Sequence, residues 1–276
     1  MLPRVGGAPI FDTEQPFAPD PAPKYIVGDK GGCTTMATAR VQEIMAAATA
    51  SAAEGHCTVP EALCAACLVA MPVSGVGLAL MSERGPEGLV AATDERATTM
   101  EELQFNLGEG PCVSSSTEGR PVLQPDLRQT GPQRWPGFGP AALEAGIAAI
   151  FAFPLQVGRI RLGVLDLYRD TPGALSPDEL TEALSFADAA TTLLLDLQGR
   201  DSDDGGLHPD LASSSHNMAE VHQATGMVAI QAAVGLAEAL LLLRAHSFSN
   251  ERSVLDVAFD VVARKLRFGP EDGHHE

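Results

Sequence analysis

Two apolar runs, Ile147 to Gln156 and Arg159 to Tyr168, follow each other with only Val157 and Gly158 between them. So short a connection leaves no room for a crossover, and the runs pair as antiparallel neighbours. Val73 to Met81 and Leu89 to Thr93 repeat the arrangement, with Glu83, Arg84, Gly85 and Pro86 as turn chemistry between them. Val122 and Leu123 form a further short strand, closed by Pro125 and Asp126. The glycine-rich stretch "LGEGPC", Leu107 to Cys112, precedes that strand and faces the sheet.

Helices frame these strands. Residues 36–53 have the alanine-rich composition of a helix. Thr58 stands before Pro60 and Glu61 as a capping box, with Leu63, Ala66, Cys67 and Ala70 at helical spacing behind it. Ser176, Pro177 and Glu179 start a helix whose face, Leu180, Leu184, Ala187 and Thr191, stays apolar towards Gln198. The expected fold over residues 36–198 is therefore α+β, an antiparallel sheet flanked by helices. Ala62 to Met81 is apolar enough to suggest a membrane span, but Pro72, Ser74, Gly75 and Gly77 break it into a buried helix and a buried strand.

Residues 1–35 and 269–276 lack periodicity and are expected to be disordered tails. Residues 199–215, "GRDSDDGGLHPDLASSS", read as a flexible acidic linker. Beyond it, residues 216–268 carry three helical patterns. Met218, Val221, Ala224, Thr225 and Val228 form one stripe and Leu236, Ala239, Leu240 and Leu243 another. The third helix is capped by Ser253 and Asp256 and presents Val254, Val257, Ala258 and Val261. An all-α three-helix bundle follows from these patterns.

The net charge of −18 excludes a protein that coats nucleic acid non-specifically, so any nucleic-acid site is local. Residues 216–268 balance five basic against five acidic side chains, which concentrates positive charge there relative to the rest. Five cysteines in irregular positions, with no cleavable leader ahead of them, point to a reduced cytoplasm.

The C-terminal segment, with "ATGMV" (Ala224 to Val228), "AEALLLLRAHSF" (Ala237 to Phe248) and "LDVAFDVVARKL" (Leu255 to Leu266), resembles an ANTAR domain. The upstream part resembles the GAF domains that precede ANTAR domains in actinobacterial regulators, through "LGEGPC", "GRPVLQPDLR", "RWPGF" and "FAFPLQVGRIRLGVLDLYRD". The paired resemblance implies a GAF-like sensor and an ANTAR-like RNA-binding output. Such a protein acts as a transcription antiterminator that stabilises RNA hairpins, usually as a dimer. Gly235 departs from the pattern, standing where a Ser, Thr or Asp would cap the second helix.

The candidate RNA-binding residues are Gly226, Arg244, Ser247, Asn250, Arg252, Arg264 and Lys265, with Arg267 beside them. Glycine inside a helix costs roughly 1 kcal/mol against alanine, so Gly226 marks close approach, either of a neighbouring helix or of RNA. Arg244, Ser247, Asn250 and Arg252 put donors around one inter-helix loop, suited to phosphates or unpaired bases. Arg264 and Lys265 lie where cations also complement a helix C-terminus.

Cys112, Trp135 and Phe138 are the candidate ligand-pocket residues of the upstream domain, with the aromatics as a lid or a loop staple. Cys112 is either an inert core thiol or a reactive one at a helix start. The spacing of Cys64 and Cys67 lacks the second pair a zinc site needs, and no metal or other cofactor is expected. No Walker loop, dinucleotide fingerprint, HExxH or Gly-x-Ser-x-Gly element is present, so an enzyme is not indicated. The alternative is a GAF-type small-molecule reductase using Cys112. The expected partners are RNA hairpins, an unidentified small molecule and a second copy of the chain. That copy would pair through the helix near Met36, the one carrying Leu180, Leu184, Leu193 and Leu194, or both.

Overall fold

The computed structural model describes residues 32–55, 57–83, 85–200 and 209–269. Most of both expected tails and residues 201–208 of the expected linker lie outside them. The described chain runs through α1 (Gly32–Ala53), α2 (Val59–Ala70), β1 (Gly75–Ser82), β2 (Gly85–Ala92), α3 (Glu95–Leu107) and α4 (Pro111–Glu118). It continues through β3 (Val122–Gln124), α5 (Leu127–Arg134), α6 (Phe138–Glu144), β4 (Ala149–Val157), β5 (Ile160–Arg169) and α7 (Pro177–Arg200). Last come α8 (Pro209–Ala232), α9 (Leu236–Ser249) and α10 (Val254–Val262).

The strands form one five-stranded antiparallel sheet in the order β2-β1-β5-β4-β3. The two hairpins read from the sequence are β1–β2 and β4–β5, and they join along β1 and β5. Side chains alternate across the pleat. Leu165 and Leu167 of β5, with Phe151 and Phe153 of β4, meet α1, α2 and α7 on one face. Val164 and Tyr168, with Ile150 and Ala152, meet the layer built by α3 to α6 on the other.

Local chemistry sets the helix starts. Thr58 and Glu61 exchange the two hydrogen bonds of a capping box, as do Ser176 and Glu179. Asp94 caps α3 by accepting from the Ala97 N–H at 2.7 Å, and the same carboxylate accepts the Tyr168 hydroxyl proton at 2.7 Å. α3 is thereby tied to β5. Sequence periodicity did not reveal α3, because its polar surface breaks the apolar stripe, nor α5 and α6, which are short and glycine-bearing.

α8, α9 and α10 share a third core around Val221, Ala224, Val228, Leu243, Val257 and Val261. α8 begins at Pro209, inside the stretch expected to be linker. Proline at a first helical position removes an N–H that would have no partner, which favours that start. The C-terminal unit packs against the α/β unit: Phe105 of α3 joins the third core, and the Val254 N–H donates to Asn106 Oδ1 at 3.0 Å. Among the described residues no single helix is long and apolar enough to cross a membrane.

Leu193 and Leu194, counted in the sequence as surplus for a dimer, are buried within the chain between α7, α1, α2 and the sheet. Leu194 is 0% exposed and its neighbour Leu195 is 43% exposed. Replacing Leu194 by Ala should cost about 3 kcal/mol, through lost burial and a cavity. Leu195→Ala should change stability by no more than about 0.5 kcal/mol. Urea unfolding of the two variants checks the contrast, and equal losses would contradict this packing.

Candidate functional site

The "LGEGPC" loop joins α3 to α4 through two backbone reversals. Gly108 closes α3 in the left-handed region at φ 64°, and Gly110 at φ 135° leads into Pro111 at the start of α4. Glu109 then reaches across, and its Oε1 accepts the backbone N–H groups of Gly137 at 2.6 Å and Phe138 at 2.7 Å. This fixes the loop to the entry of α6. Gln104 of α3, fully buried, anchors the other side: its Oε1 accepts the Cys112 N–H at 2.8 Å and its Nε2 donates to Asp166 Oδ2 at 2.9 Å.

Asp166 lies in the middle of β5, on the face turned towards α3, opposite Gly77 of β1. A Cβ at position 77 would lie 2.3 Å from Glu101 Oε1, so glycine there makes room for a second acid. Glu101, Asp166 and Cys112 bring their donor atoms within 4.8 Å of one another, all buried. Burial pushes the Asp166 carboxyl up to about 7, opposed by hydrogen bonds from Gln104, Glu101 and Cys112. Glu101 is pushed well above the usual carboxylate range by burial and then by the Asp166 charge. Two enclosed carboxyls this close do not both ionise. Glu101 Oε1 and Asp166 Oδ1 find no other hydrogen-bond partner, which a carboxyl proton held between the acids accounts for.

The Cys112 thiol, 1% exposed, is pushed well up by burial first and then by the charges of Asp166 and Glu101. Its Sγ rests 3.6 Å from Met81 Sδ. Burial first, and then the neighbouring acids, oppose a thiolate at the start of α4. Cys64 and Cys67 are likewise core thiols, the latter pushed up to about 12 by burial. Two carboxylates and a thiol could hold a metal ion by donor type, but they are enclosed, and the arrangement's own chemistry is to hold one proton.

Trp135 and Phe138 close no open pocket over Cys112. They are 2% and 0% exposed, meet edge to face with centroids 6.3 Å apart, and fill the core between α4, α5, α6 and the sheet. The indole Nε1 donates to Ser114 Oγ at 3.0 Å, which satisfies its buried polar end.

The C-terminal candidates separate into two groups. Ser247 is buried and donates its hydroxyl to the Arg252 carbonyl. Asn250 ends α9 and donates to the His246 carbonyl at 2.8 Å. Arg252 pairs with Asp260 at 2.6 Å. Arg244 is half-buried at the junction of the two units, its guanidinium over Gly108 and its Nε enclosed, so it does not present an open phosphate contact. Gly226 has open space where a Cβ would stand, so no helix among the described residues approaches closely there. Gly235 provides no side-chain cap to α9. Arg264, at φ 60°, and Arg267 are exposed just beyond α10, and Lys265 beside them lies 3.7 Å from Asp260.

Sequence reading missed Glu101, Gln104 and Asp166. A signal existed for Asp166, a lone acid inside the apolar run "LGVLDLY" on the same strand face as Val164 and Tyr168. Glu101 and Gln104 share one helical face with Ala97 and Met100, but only once α3 is recognised as a helix.

A model described as the GAF domain matches residues 58–194. Among solved structures, the chain is similar to the type II free methionine-R-sulfoxide reductase of Thermoplasma acidophilum, at 17% identity over 57% of this chain and 96% of that one, with a TM-score of 0.40. It is also similar to the GAF domain of an Acinetobacter phosphoenolpyruvate-protein phosphotransferase, at 12% identity over 60% and 98%, with a TM-score of 0.44. The equivalent domain from Coxiella burnetii gives 12% identity, 59% and 98% coverage and a TM-score of 0.44. No curated protein matches the chain.

Asp166 sets a pH dependence. Between about pH 4 and 7 the unfolded chain has released this proton while the folded state retains it, so the cost of burying the acid grows with pH and is constant above 7. Asp166→Asn, neutral throughout, should gain stability relative to the parent across that window, by at most about 1.4 kcal/mol per pH unit, and level off above it. Urea midpoints from acid to mildly alkaline pH read the difference; a gap that does not vary with pH would refute the retained proton.

Proposed function

With residues 58–194 a GAF domain, we propose that the protein is a signal-responsive RNA-binding regulator of transcription. The GAF domain senses, and the α8–α10 unit binds RNA hairpins in the manner of an antiterminator. The observation that carries this reading is the group of exposed cations, Arg264, Lys265 and Arg267, on a small helical unit packed against the sensor in an otherwise acidic chain. The resemblance of that unit to ANTAR domains supports the same assignment. Cations just beyond a helix end engage phosphates through counterion release, while the unpaired loop of a hairpin supplies the bases that are read. Arg252 and Lys265 converge on Asp260, which holds two positive groups at the edge of the same surface.

The reading in which Cys112 makes the protein a reductase has less support, because a buried thiol beside two acids is a poor nucleophile. The homodimer is part of the proposal through α7 and α1. Leu184 and Leu195 remain 42% and 43% exposed on α7, and sedimentation at micromolar concentration tests whether a second copy covers them.

Hairpin RNA titrated at several salt concentrations tests RNA binding. Arg264→Ala with Arg267→Ala should weaken binding and lower the log–log salt slope by about 1.5, two phosphate contacts' worth. An unchanged affinity and slope removes this surface from consideration, and equal binding of duplex DNA redirects the function to DNA. Gly226→Ala should stabilise α8 by about 0.5–1 kcal/mol, since its added methyl meets nothing. If hairpin affinity falls in that more stable variant, the bare backbone at 226 lies against RNA.

A further inference from the structure

Between the β1–β2 hairpin, α3 and the first two helices of the C-terminal unit lies a cavity of about 540 Å³. That volume is in the range of small-molecule sites. We propose that it binds a small organic carboxylate with an apolar body, whose carboxylate is held by Arg244. The assignment does not rest on the RNA-binding reading.

Arg244 is the reason for an anion. Its side chain lines the cavity and is half-buried, its enclosed Nε finds no hydrogen-bond partner, and no ion pair reaches it among the described residues. Arginines elsewhere differ: Arg40 meets Glu182, Arg169 meets Glu179 and Arg252 meets Asp260. A partly desolvated charge with no ion pair is costly, and removal from water lowers the Arg244 pKa accordingly. The side chain is also held in place, because the guanidinium occupies the volume a Cβ on Gly108 would need. A fixed guanidinium offers a planar pair of donors that matches the two oxygens of a carboxylate.

The walls specify the rest of the ligand. Phe105, Leu240 and Val254 line the cavity with apolar surface from α3, α9 and the start of α10, which calls for an apolar body behind the acid. Glu83 and Glu87 of the hairpin line the same cavity. Their charge opposes a doubly charged phosphate more than a singly charged carboxylate, and this separates the two anion classes. Because the walls come from both units, a bound ligand would contact the sensor and the helical unit together.

Calorimetry on the full chain at neutral pH tests the site with 4-phenylbutyrate, decanoate and indole-3-acetate as probes. At least one should saturate with one site per chain. Its neutral alcohol analogue should bind about tenfold more weakly or worse, as should Arg244→Ala to the acid, because a charge-assisted pair is lost. Ala237→Trp keeps the test independent of Arg244: this exposed residue at the start of α9 lines the cavity, so the indole should fill it and abolish binding while the chain stays folded. The proposal is overturned if none of the three acids shows saturable binding up to millimolar concentration. It is equally overturned if the alcohol matches the acid, if a folded Arg244→Ala or Ala237→Trp binds as the parent does, or if the alkyl phosphate binds more tightly than the carboxylate.

Discussion

The Gln104 side chain joins three parts of the α/β unit that are distant in sequence. Its carbonyl oxygen must face the Cys112 N–H and its amide nitrogen must face Asp166, because a carboxylate oxygen accepts and a backbone N–H donates. That polarity orders the loop after α3, the first turn of α4 and the centre of β5 at once. A hydrocarbon of the same size would leave a buried N–H and a buried carboxylate oxygen without partners, at about 1–3 kcal/mol each. Glu109 completes the arrangement from the far side of the loop by tying it to α6.

The acid pair follows from this geometry. Asp166 is held against Glu101 by a helix fixed at both ends, through the Asp94 cap at one and the Gly108 reversal at the other. The shared proton is what makes two enclosed carboxyls compatible. The same environment that retains it keeps Cys112 a thiol, and the aromatic pair Trp135 and Phe138 packs the core beside it.

α3 serves both units. Glu101 and Gln104 face the sheet, while Phe105 and Asn106 face α8 to α10 and Gly108 receives Arg244. The helical unit therefore meets the α/β unit next to the loop that Gln104 orders. The exposed cations beyond α10 are not part of that contact, which leaves them available on the docked unit.

The sequence by itself determined the elements whose causes are local. Both hairpins, the caps at Thr58, Ser176 and Ser253, and the core face of α10 came from period, turn chemistry and capping, which act over a few residues. The face read for α7 did not hold, since Leu184 is exposed and Ala183, Phe186, Ala190 and Leu194 turn to the core instead. Cys112 was recognisable as a buried thiol or a reactive one, and only its burial and its neighbours on the same face of the sheet decided for the former. Those neighbours, Glu101 and Asp166, are 65 residues apart in sequence numbering and meet only because β1, β5 and α3 stack. Arg244 shows the same limit from the other side. On its own helix it reads as a solvated cation, and the tertiary structure alone half-buries it over Gly108, because whether a charge meets water or another chain segment depends on packing between units that no local pattern encodes.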